Sequence, residues 1–515
     1  MSATNLASLL ETRAADSAAY PALFDGTGQL WTFEEVDLIA GGVAHALADL
    51  GVVAGDRVAS YLTNGPAIAF VLFGCWKLGA IPVTISSLYN GSELGESLDK
   101  TKPGVLLVDD HSPEAVAAVS GRSGLVTRSM SGSLDGIERL DWSERARVSS
   151  PEVTPESEAC ILFTGGTTGR PKAVSVTHIG TFHSLSRLAS VSKGDGEQAA
   201  AREGVPPNLI ALPLFHGGGQ HSLLFSFFVG RGVVVWERFE VDLLATLMER
   251  HRFDNFFFLP TMLFDIVHAE RDLPFDGVKS VLVAGQALPW SVRKAFEERY
   301  RIPIIVNYGS TETGHIAGWN AKDMKAGRWK PGSAGKVYDG VELEIRDDDG
   351  NALPPGSEGE VVVRSDLTRG YVDDEKATSL LVRDGWVHTG DNGYVDDDGV
   401  LFLVGRKRDM IKCGGFQVWP EEIEDVLREH ALVHDIRVLG MPDERLGEIP
   451  VAVVAREADD QVSDDELAAQ LIVYSREHLA HFKAPRRVEF VPELERSATG
   501  KLSRAGVPAS VAGGN

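Results

Sequence analysis

Phe163-Thr164-Gly165-Gly166-Thr167-Thr168-Gly169-Arg170-Pro171-Lys172 follows directly on Ala159-Cys160-Ile161-Leu162. An apolar run that ends in clustered glycines and threonines reads as a buried strand feeding a tight loop. Gly165, Gly166 and Gly169 let the backbone turn and approach a ligand closely. Successive backbone N–H groups and the hydroxyls of Thr164, Thr167 and Thr168 form a concave anion site, and Lys172 adds a compact charge. The expected ligand is a polyphosphate. The spacing differs from G-x-x-x-x-G-K-[ST], so this is not a Walker A loop. Taken alone, the run also reads as a polar surface turn.

Outward from that loop, residues 151–340 repeat an apolar strand followed by a small or polar loop. The strands are expected at Cys160–Phe163, Leu209–Leu214, Phe256–Leu259, Ser280–Val283 and Ile302–Val306, with helical segments between several of them. Alternating strands and helices predict a parallel or mixed α/β sheet, in which ligands gather beyond the carboxyl ends of the strands. In the first 150 residues, Arg57–Leu62 reads as a strand, and Thr32 with Glu35 reads as a capping box opening a helix at Phe33. The apolar stretch from Ala67 to Val83 is broken by Gly74, Lys77, Gly79 and Pro82, so it reads as a core helix running into a strand rather than a membrane span. Residues 340–405 carry short strands separated by Asp347-Asp348-Asp349-Gly350 and Asp396-Asp397-Asp398-Gly399, which are turn signatures; this is a small β-rich subdomain. After Arg406-Lys407-Arg408-Asp409 the pattern changes to a compact α+β tail. The expected fold class is therefore α/β: a large N-terminal domain over 1–407 with mixed sheets and a β-rich subdomain, and a small mobile α+β domain over 408–515.

The chain has 515 residues, enough for several structural units. With 43 % hydrophobic and 24 % charged residues its composition is ordinary for a globular protein. A formal net charge of −24 argues against a nucleic-acid partner. Three cysteines, Cys75, Cys160 and Cys413, form neither a disulfide framework nor a zinc motif, which suits a reducing, cytoplasmic location.

Four further motifs follow the glycine-rich loop in order. They are Leu212-Pro213-Leu214-Phe215-His216-Gly217-Gly218-Gly219; Asn307-Tyr308-Gly309-Ser310-Thr311-Glu312, with Ala284-Gly285-Gln286-Ala287 upstream; Trp386-Val387-His388-Thr389-Gly390-Asp391 with Gly405-Arg406-Lys407-Arg408-Asp409 and Lys412-Cys413-Gly414-Gly415; and Arg496-Ser497-Ala498-Thr499-Gly500-Lys501. The ordered set, spanning roughly Thr32 to Lys501, resembles the adenylate-forming superfamily of acyl- and aryl-CoA synthetases, adenylation domains and firefly-type luciferases.

The resemblance implies that Thr164 to Lys172 hold the ATP triphosphate, although Gly165 stands where the family usually has serine and Ala173 where it usually has glycine. It implies that Gly285, Gln286 and Ala287 border adenine, that Asn307 hydrogen-bonds it and that Tyr308 stacks beside it. Gly309 and Ser310 belong to the same nucleotide-binding turn. Thr311 is expected near the α-phosphate, Glu312 on magnesium with Thr164 as a further ligand, and His216 at the acyl pocket. Asp391 is expected to accept both ribose hydroxyls, since a carboxylate suits a vicinal diol, and Arg406 to contact ribose or phosphate. Arg408 occupies the hinge position, where the family more often has Asp or Lys. Lys412, Gly414 and Gly415 are expected to meet the pantetheine arm of coenzyme A, and Lys501 to be the adenylation lysine.

The implied reaction is ATP-dependent activation of a carboxylic acid to an acyl-adenylate with loss of pyrophosphate, then transfer to coenzyme A. A carrier-protein thiol, an amine, or activation of nitrite are the alternatives, and a degenerate nucleotide-binding module is the non-catalytic one. Glycines 217–219 and 314 and histidines 216, 221 and 315 predict a roomy, polar acid pocket, near Phe215 and Trp319, favouring an aryl or medium-length acid. Monomer and homodimer are both usual in such proteins.

Overall fold

The computed structural model describes residues 5–132, 134, 136–164, 172–193, 197–407, 409–413, 416–443, 446–457, 462–479 and 483–494. Among them the strands form four sheets. A seven-stranded sheet runs in the order Thr368–Tyr371, Lys172–Thr177, Glu158–Thr164, Ile81–Ile85, Arg57–Tyr61, Val105–Val108, Val126–Ser129. Its parallel strands Ile81–Ile85, Arg57–Tyr61 and Val105–Val108 are almost wholly buried, as expected where helices cover both faces. The helix Pro66–Leu78 leads into Ile81–Ile85, so the apolar stretch is a core helix and strand. Both halves of the Thr32–Glu35 capping box are present at the start of Phe33–Asp49.

A ten-stranded sheet begins with three parallel strands, Asn255–Phe258, Ser280–Val283 and Ile304–Ser310. It continues antiparallel through Gly314–Gly318, Ser333–Val337, Val400–Arg406, Trp386–Val395, Gly359–Val363 and Leu343–Arg346, and the short strand Val382–Arg383 pairs with Trp386–Val395 off this path. The β-rich segment is thus continuous with the second α/β sheet, while its Thr368–Tyr371 strand crosses to pair with Lys172–Thr177 in the first. A four-stranded sheet of Leu30–Thr32, Pro21–Asp25, Val233–Val235 and Asn208–Ile210 is hydrogen-bonded to neither, but packs into the apolar cores of both. Between Arg406 and Ile411 the chain changes sheets. Strands Ile411–Cys413, Phe416–Val418, Val433–Asp443, Gly447–Arg456 and Arg487–Val491 form a five-stranded sheet around its own apolar core of Ile423, Ile436, Val454 and Leu467.

Two expected strands differ in extent. Asn208–Ile210 stops short of Leu214: Pro213 has no N–H to give to a ladder, and the Leu214 N–H donates to Asn64 Oδ1 (2.7 Å), a side-chain anchor that replaces strand pairing. Ile304–Ser310 runs past Val306 and takes in Asn307–Ser310, because Gly314–Gly318 folds back antiparallel and supplies a partner for those residues. A Cβ at Gly309 would lie 2.0 Å from the Gly314 carbonyl oxygen, so this tight hairpin admits only glycine there.

Candidate active site

Thr164 and Lys172 are cross-strand partners in an antiparallel pair, so these two residues stand at the mouth of a hairpin; Gly165, Gly166, Thr167, Thr168 and Gly169 lie outside the described residues. The Lys172 ammonium sits 4.6 Å from the centroid of the Tyr371 ring. The Tyr371 hydroxyl in turn donates to Glu312 Oε1 at 3.2 Å. A strand from each large sheet therefore delivers one end of a Lys172–Tyr371–Glu312 line. Glu312 and Thr311 project from a turn fixed by the Ser310 N–H donating to Thr313 Oγ1 (3.0 Å) and the Glu312 N–H donating to Ser310 Oγ (3.2 Å). Tyr371 escaped the sequence reading because only the strand exchange between the two sheets brings it to Glu312.

Along the ten-stranded sheet, Asp391 and Arg406 are cross-strand partners. Asp391 Oδ1 pairs with Arg406 Nε at 3.0 Å, and Asp391 Oδ2 accepts from the Tyr308 hydroxyl at 2.7 Å. Burial, followed by the Asp391 charge, raises the Tyr308 phenol well above its ordinary value, so it is a neutral donor. Gly285 follows Ser280–Val283 with a left-handed φ of 90° and is exposed, as is Ala287, with Gln286 half-buried. Gly285 and Arg406 sit at or just beyond strand ends, where open α/β sheets hold ligands, whereas Tyr308 and Asp391 lie within their strands.

His216 precedes the helix Gly217–Phe228, and its Nδ1 accepts from the Gly218 N–H at 3.1 Å. A Cβ at Gly217 would stand 3.2 Å from Thr311 Oγ1, so the start of this helix lies directly against the Thr311 turn. One turn further, His221 meets His315 with ring centroids 4.5 Å apart. Asn307 Nδ2 donates to the Tyr338 hydroxyl (2.9 Å), so Asn307 Oδ1 accepts from His315 Nδ1 (2.8 Å). A neutral His315 then accepts at Nε2 from His221 Nδ1 (3.3 Å), and His221 Nε2 accepts from the Ser184 hydroxyl (3.1 Å). Burial, and after it the neighbouring Arg187 charge, pushes His315 down to about 4. His221 is also held well below its ordinary value by burial, His315 and Arg187. Both rings remain partly accessible, so they form a neutral wall of a cleft. Ser184 and Tyr338 carry no motif and were not singled out from sequence. Phe215 and Trp319 are buried, Trp319 in a cluster with Ile305 and Val400 and donating to Ser333 Oγ (3.0 Å), so Trp319 serves the core.

In the five-stranded sheet, Lys412 pairs across the hairpin with Gln417. Gly414, Gly415, Arg408 and Lys501 lie outside the described residues. The Trp419 ring packs against Gly405, where a Cβ would come within 2.8 Å of Trp419 Cε3. Among the described residues no group of three or more His, Cys, Asp or Glu side chains is arranged to hold a metal ion, and no helix is long and apolar enough to cross a membrane.

Comparison with known proteins bears on the whole chain. The model of the AMP-binding enzyme family matches residues 10–372, and that of the AMP-binding enzyme C-terminal domain matches residues 422–501. A 4-coumarate–CoA ligase 3 of Oryza sativa subsp. japonica is 30 % identical, covering 98 % of this chain and 91 % of its own. A 2-succinylbenzoate–CoA ligase of Bacillus pumilus is 31 % identical over 92 % of each chain. Among solved structures, an anthranilate CoA ligase in complex with anthranoyl-AMP superposes with a TM-score of 0.88 at 27 % identity, covering 98 % of this chain and 97 % of its own. With an α/β body, an α+β tail and both family models in register with them, the chain belongs to the family of AMP-binding enzymes.

Proposed function

We propose that this protein is an AMP-forming acid–thiol ligase, which joins a small carboxylic acid to coenzyme A through an acyl-adenylate. The observation that carries the reading is the convergence of Lys172, Thr164, Tyr371, Glu312 and Thr311 from two sheets onto one point, with Asp391 and Tyr308 along the second sheet. The first group suits a triphosphate, and the second a ribose and adenine.

The roles follow from the chemistry of each group. The 164–172 hairpin mouth and Lys172 hold the phosphates, with Tyr371 fixing the height of the lysine. Asp391 exchanges its Tyr308 and Arg406 partners for the ribose diol, and Arg406 stays beside it. Asn307, its amide oriented by Tyr338 and His315, faces adenine with the Gly285–Ala287 turn. Glu312 is a single hard carboxylate with a hydroxyl, Thr164, on the facing sheet. That donor set fits magnesium, which takes one or two carboxylates and fills its remaining positions with water and phosphate oxygens. When bound, magnesium supplies positive charge against the phosphates. Thr311 lies against Gly217, so the acid carboxylate enters between the helix start and the α-phosphate. Attack there releases pyrophosphate, and Lys501 stabilises the charge that develops. The part of the chain from about Arg408 onward then turns on its hinge, replacing Lys501 with the Lys412–Gly415 face, and the thiol of coenzyme A displaces AMP.

The acid is an aryl or medium-length polar one, since the pocket beyond Gly217 and Gly218 is walled by His221 and His315. The test is pyrophosphate release from Mg-ATP across aryl, short-chain and medium-chain acids, with and without coenzyme A. Acid-dependent release giving AMP and a thioester is expected, and Lys501→Ala should slow it by on the order of 10²–10³. Release without thioester would move the acceptor to a carrier-protein thiol, an amine or another nucleophile.

A further inference from the structure

Lys172 opens the strand Lys172–Thr177, and Tyr371 ends the strand Thr368–Tyr371 that pairs with it antiparallel. Tyr371 stands opposite Val174, two residues on from Lys172. The tyrosine and the lysine are therefore diagonal neighbours on one face of the sheet, a spacing that long and aromatic side chains can bridge. The Lys172 ammonium lies 4.6 Å from the ring centroid, and the hydroxyl of the same ring donates to Glu312 Oε1 at 3.2 Å. One uncharged side chain thus holds a cation against its face and an anion at its edge. Among the described residues, neither Lys172 nor Glu312 forms an ion pair, with one another or with any other group.

The tyrosine is fixed where it stands. Its backbone N–H donates to Thr378 Oγ1 (2.9 Å), and the Thr378 hydroxyl donates back to the Tyr371 carbonyl (3.2 Å). Gly370 makes room for that clamp: φ is 103°, and a Cβ there would come within 2.3 Å of Thr378 Cγ2. Thr378 belongs to the helix Glu375–Leu381, whose cap Asp374 accepts from the Ala377 N–H at 2.8 Å. The ring itself packs on the apolar cluster of Cys160, Leu162, Val174, Val176 and Leu367.

Opposite charges that share a neighbour attract one another, and more strongly in a half-buried setting than in water. A lysine and a glutamate that closed on each other would satisfy both charges and leave neither for a ligand. Tyr371 gives each of them a partner that is not the other. We infer that Tyr371 is a positioning residue that keeps Lys172 and Glu312 from pairing, so that the lysine stays available to phosphate oxygens and the carboxylate to the metal ion that accompanies ATP. The inference rests on the ligase reading above, and it gives Tyr371 a part beyond setting the height of the lysine. The ring does the separating, and the hydroxyl only orients the carboxylate.

The experiment reads metal binding apart from turnover. Mn²⁺ binding to the full chain, at ATP saturating for each variant and without acid, is followed by electron paramagnetic resonance, and acid-dependent pyrophosphate release is measured beside it. Tyr371→Leu removes ring and hydroxyl and should weaken Mn²⁺ binding on the order of tenfold, as a charged partner gained by Glu312 would. Tyr371→Phe keeps the ring and should cost about threefold, the share of one hydrogen bond. In a Lys172→Met background no cation remains to close on Glu312, so adding Tyr371→Leu there should weaken Mn²⁺ binding by less than about twofold. A tyrosine that merely supports the fold would cost the same in both backgrounds. Equal losses would overturn the inference, as would a loss for Tyr371→Phe as large as for Tyr371→Leu, or wild type that binds no Mn²⁺ with ATP. Acid-dependent pyrophosphate release by the wild type would leave the ligase reading intact in each of those cases. No release with any acid would defeat that reading, and with it the roles of Lys172 and Glu312 on which the inference rests.

Discussion

Asp391 and His315 stand on the same ten-stranded sheet, yet their polar atoms are satisfied in different ways. Asp391 gives one oxygen to Arg406 and the other to Tyr308, and on the proposed reading ligand hydroxyls take the place of these donors. His315 gives its nitrogens to Asn307 and His221, which are committed in turn to Tyr338 and Ser184. A ligand entering beside Asp391 finds exchangeable partners, and one entering beside His315 finds a finished wall. On the proposed reading, the Asp391 side is the nucleotide half of the cleft and is re-paired in each turnover. The His221–His315 side of the cleft is built to hold its shape.

The sharpest way to break that contrast is Asp391→Asn. If Asp391 re-pairs with the ribose, the variant loses a charged acceptor for two hydroxyls, and KM for ATP rises on the order of 10²-fold with a smaller change in kcat. Steady-state pyrophosphate release at varied ATP reads this directly. An unchanged KM would mean that the Arg406–Asp391–Tyr308 set is as closed as the histidine wall.

His315→Phe tests the other side. It leaves the Asn307 oxygen and the His221 N–H without their partners in a buried place, at about 1–3 kcal/mol each. Stability to urea should fall by about 2–6 kcal/mol on that basis, while KM for ATP moves far less than in Asp391→Asn. Retained stability would show the wall to be replaceable, and the contrast would collapse.

The two halves also differ in how far they could be read from the chain. Thr164, Glu312, Asp391 and Arg406 are legible because each sits in a run whose glycines and neighbours fix a strand end or turn, so local sequence carries both the residue and its setting. Ser184, Arg187, Tyr338 and Tyr371 are not. Ser184 and Arg187 look like ordinary polar positions on the helix His178–Lys193, and Tyr371 reaches Glu312 only because Thr368–Tyr371 leaves one sheet's neighbourhood to pair in the other. The same limit explains the strand Ile304–Ser310. Its extra residues are held by a partner strand, which apolar periodicity in the strand itself cannot reveal.

Acid titration sharpens the comparison further. His315 is pushed to about 4, and so is His178, whose Nδ1 accepts from the Leu6 N–H at 3.2 Å. An unfolded chain protonates its histidines near 6.5, whereas these two stay neutral in the fold until about 4. Between those values the unfolded state binds more protons, so stability is full above 6.5 and is lost as pH falls toward 4, with a slope of about 1.4 kcal/mol per pH unit per histidine. Asp425, raised to about 6 by burial, works in the opposite direction over part of that window. The measurement is therefore the difference in slope between wild type and His178→Asn or His315→Asn in urea unfolding at several pH values. Each variant should be flatter by roughly one histidine's share; a steeper slope would reverse the assignment of both rings as neutral.

The smallest effect belongs to the most local device. Thr32 Oγ1 accepts from the Glu35 N–H (3.2 Å), and Glu35 Oε2 accepts from the Thr32 N–H (2.8 Å), so two otherwise unpaired donors at the start of Phe33–Asp49 are satisfied reciprocally. Thr32→Ala should cost about 1 kcal/mol in urea unfolding and leave pyrophosphate release unchanged. Because every atom of that box lies within four residues, its cost should be the same in ATP-bound and free protein. The His315 chain runs from Asn307, proposed above to face adenine, to Ser184, so on that reading the penalty of His315→Phe should change when nucleotide is bound. Equal shifts for both variants on adding ATP would mean that the wall, for all its length, behaves as locally as a helix cap.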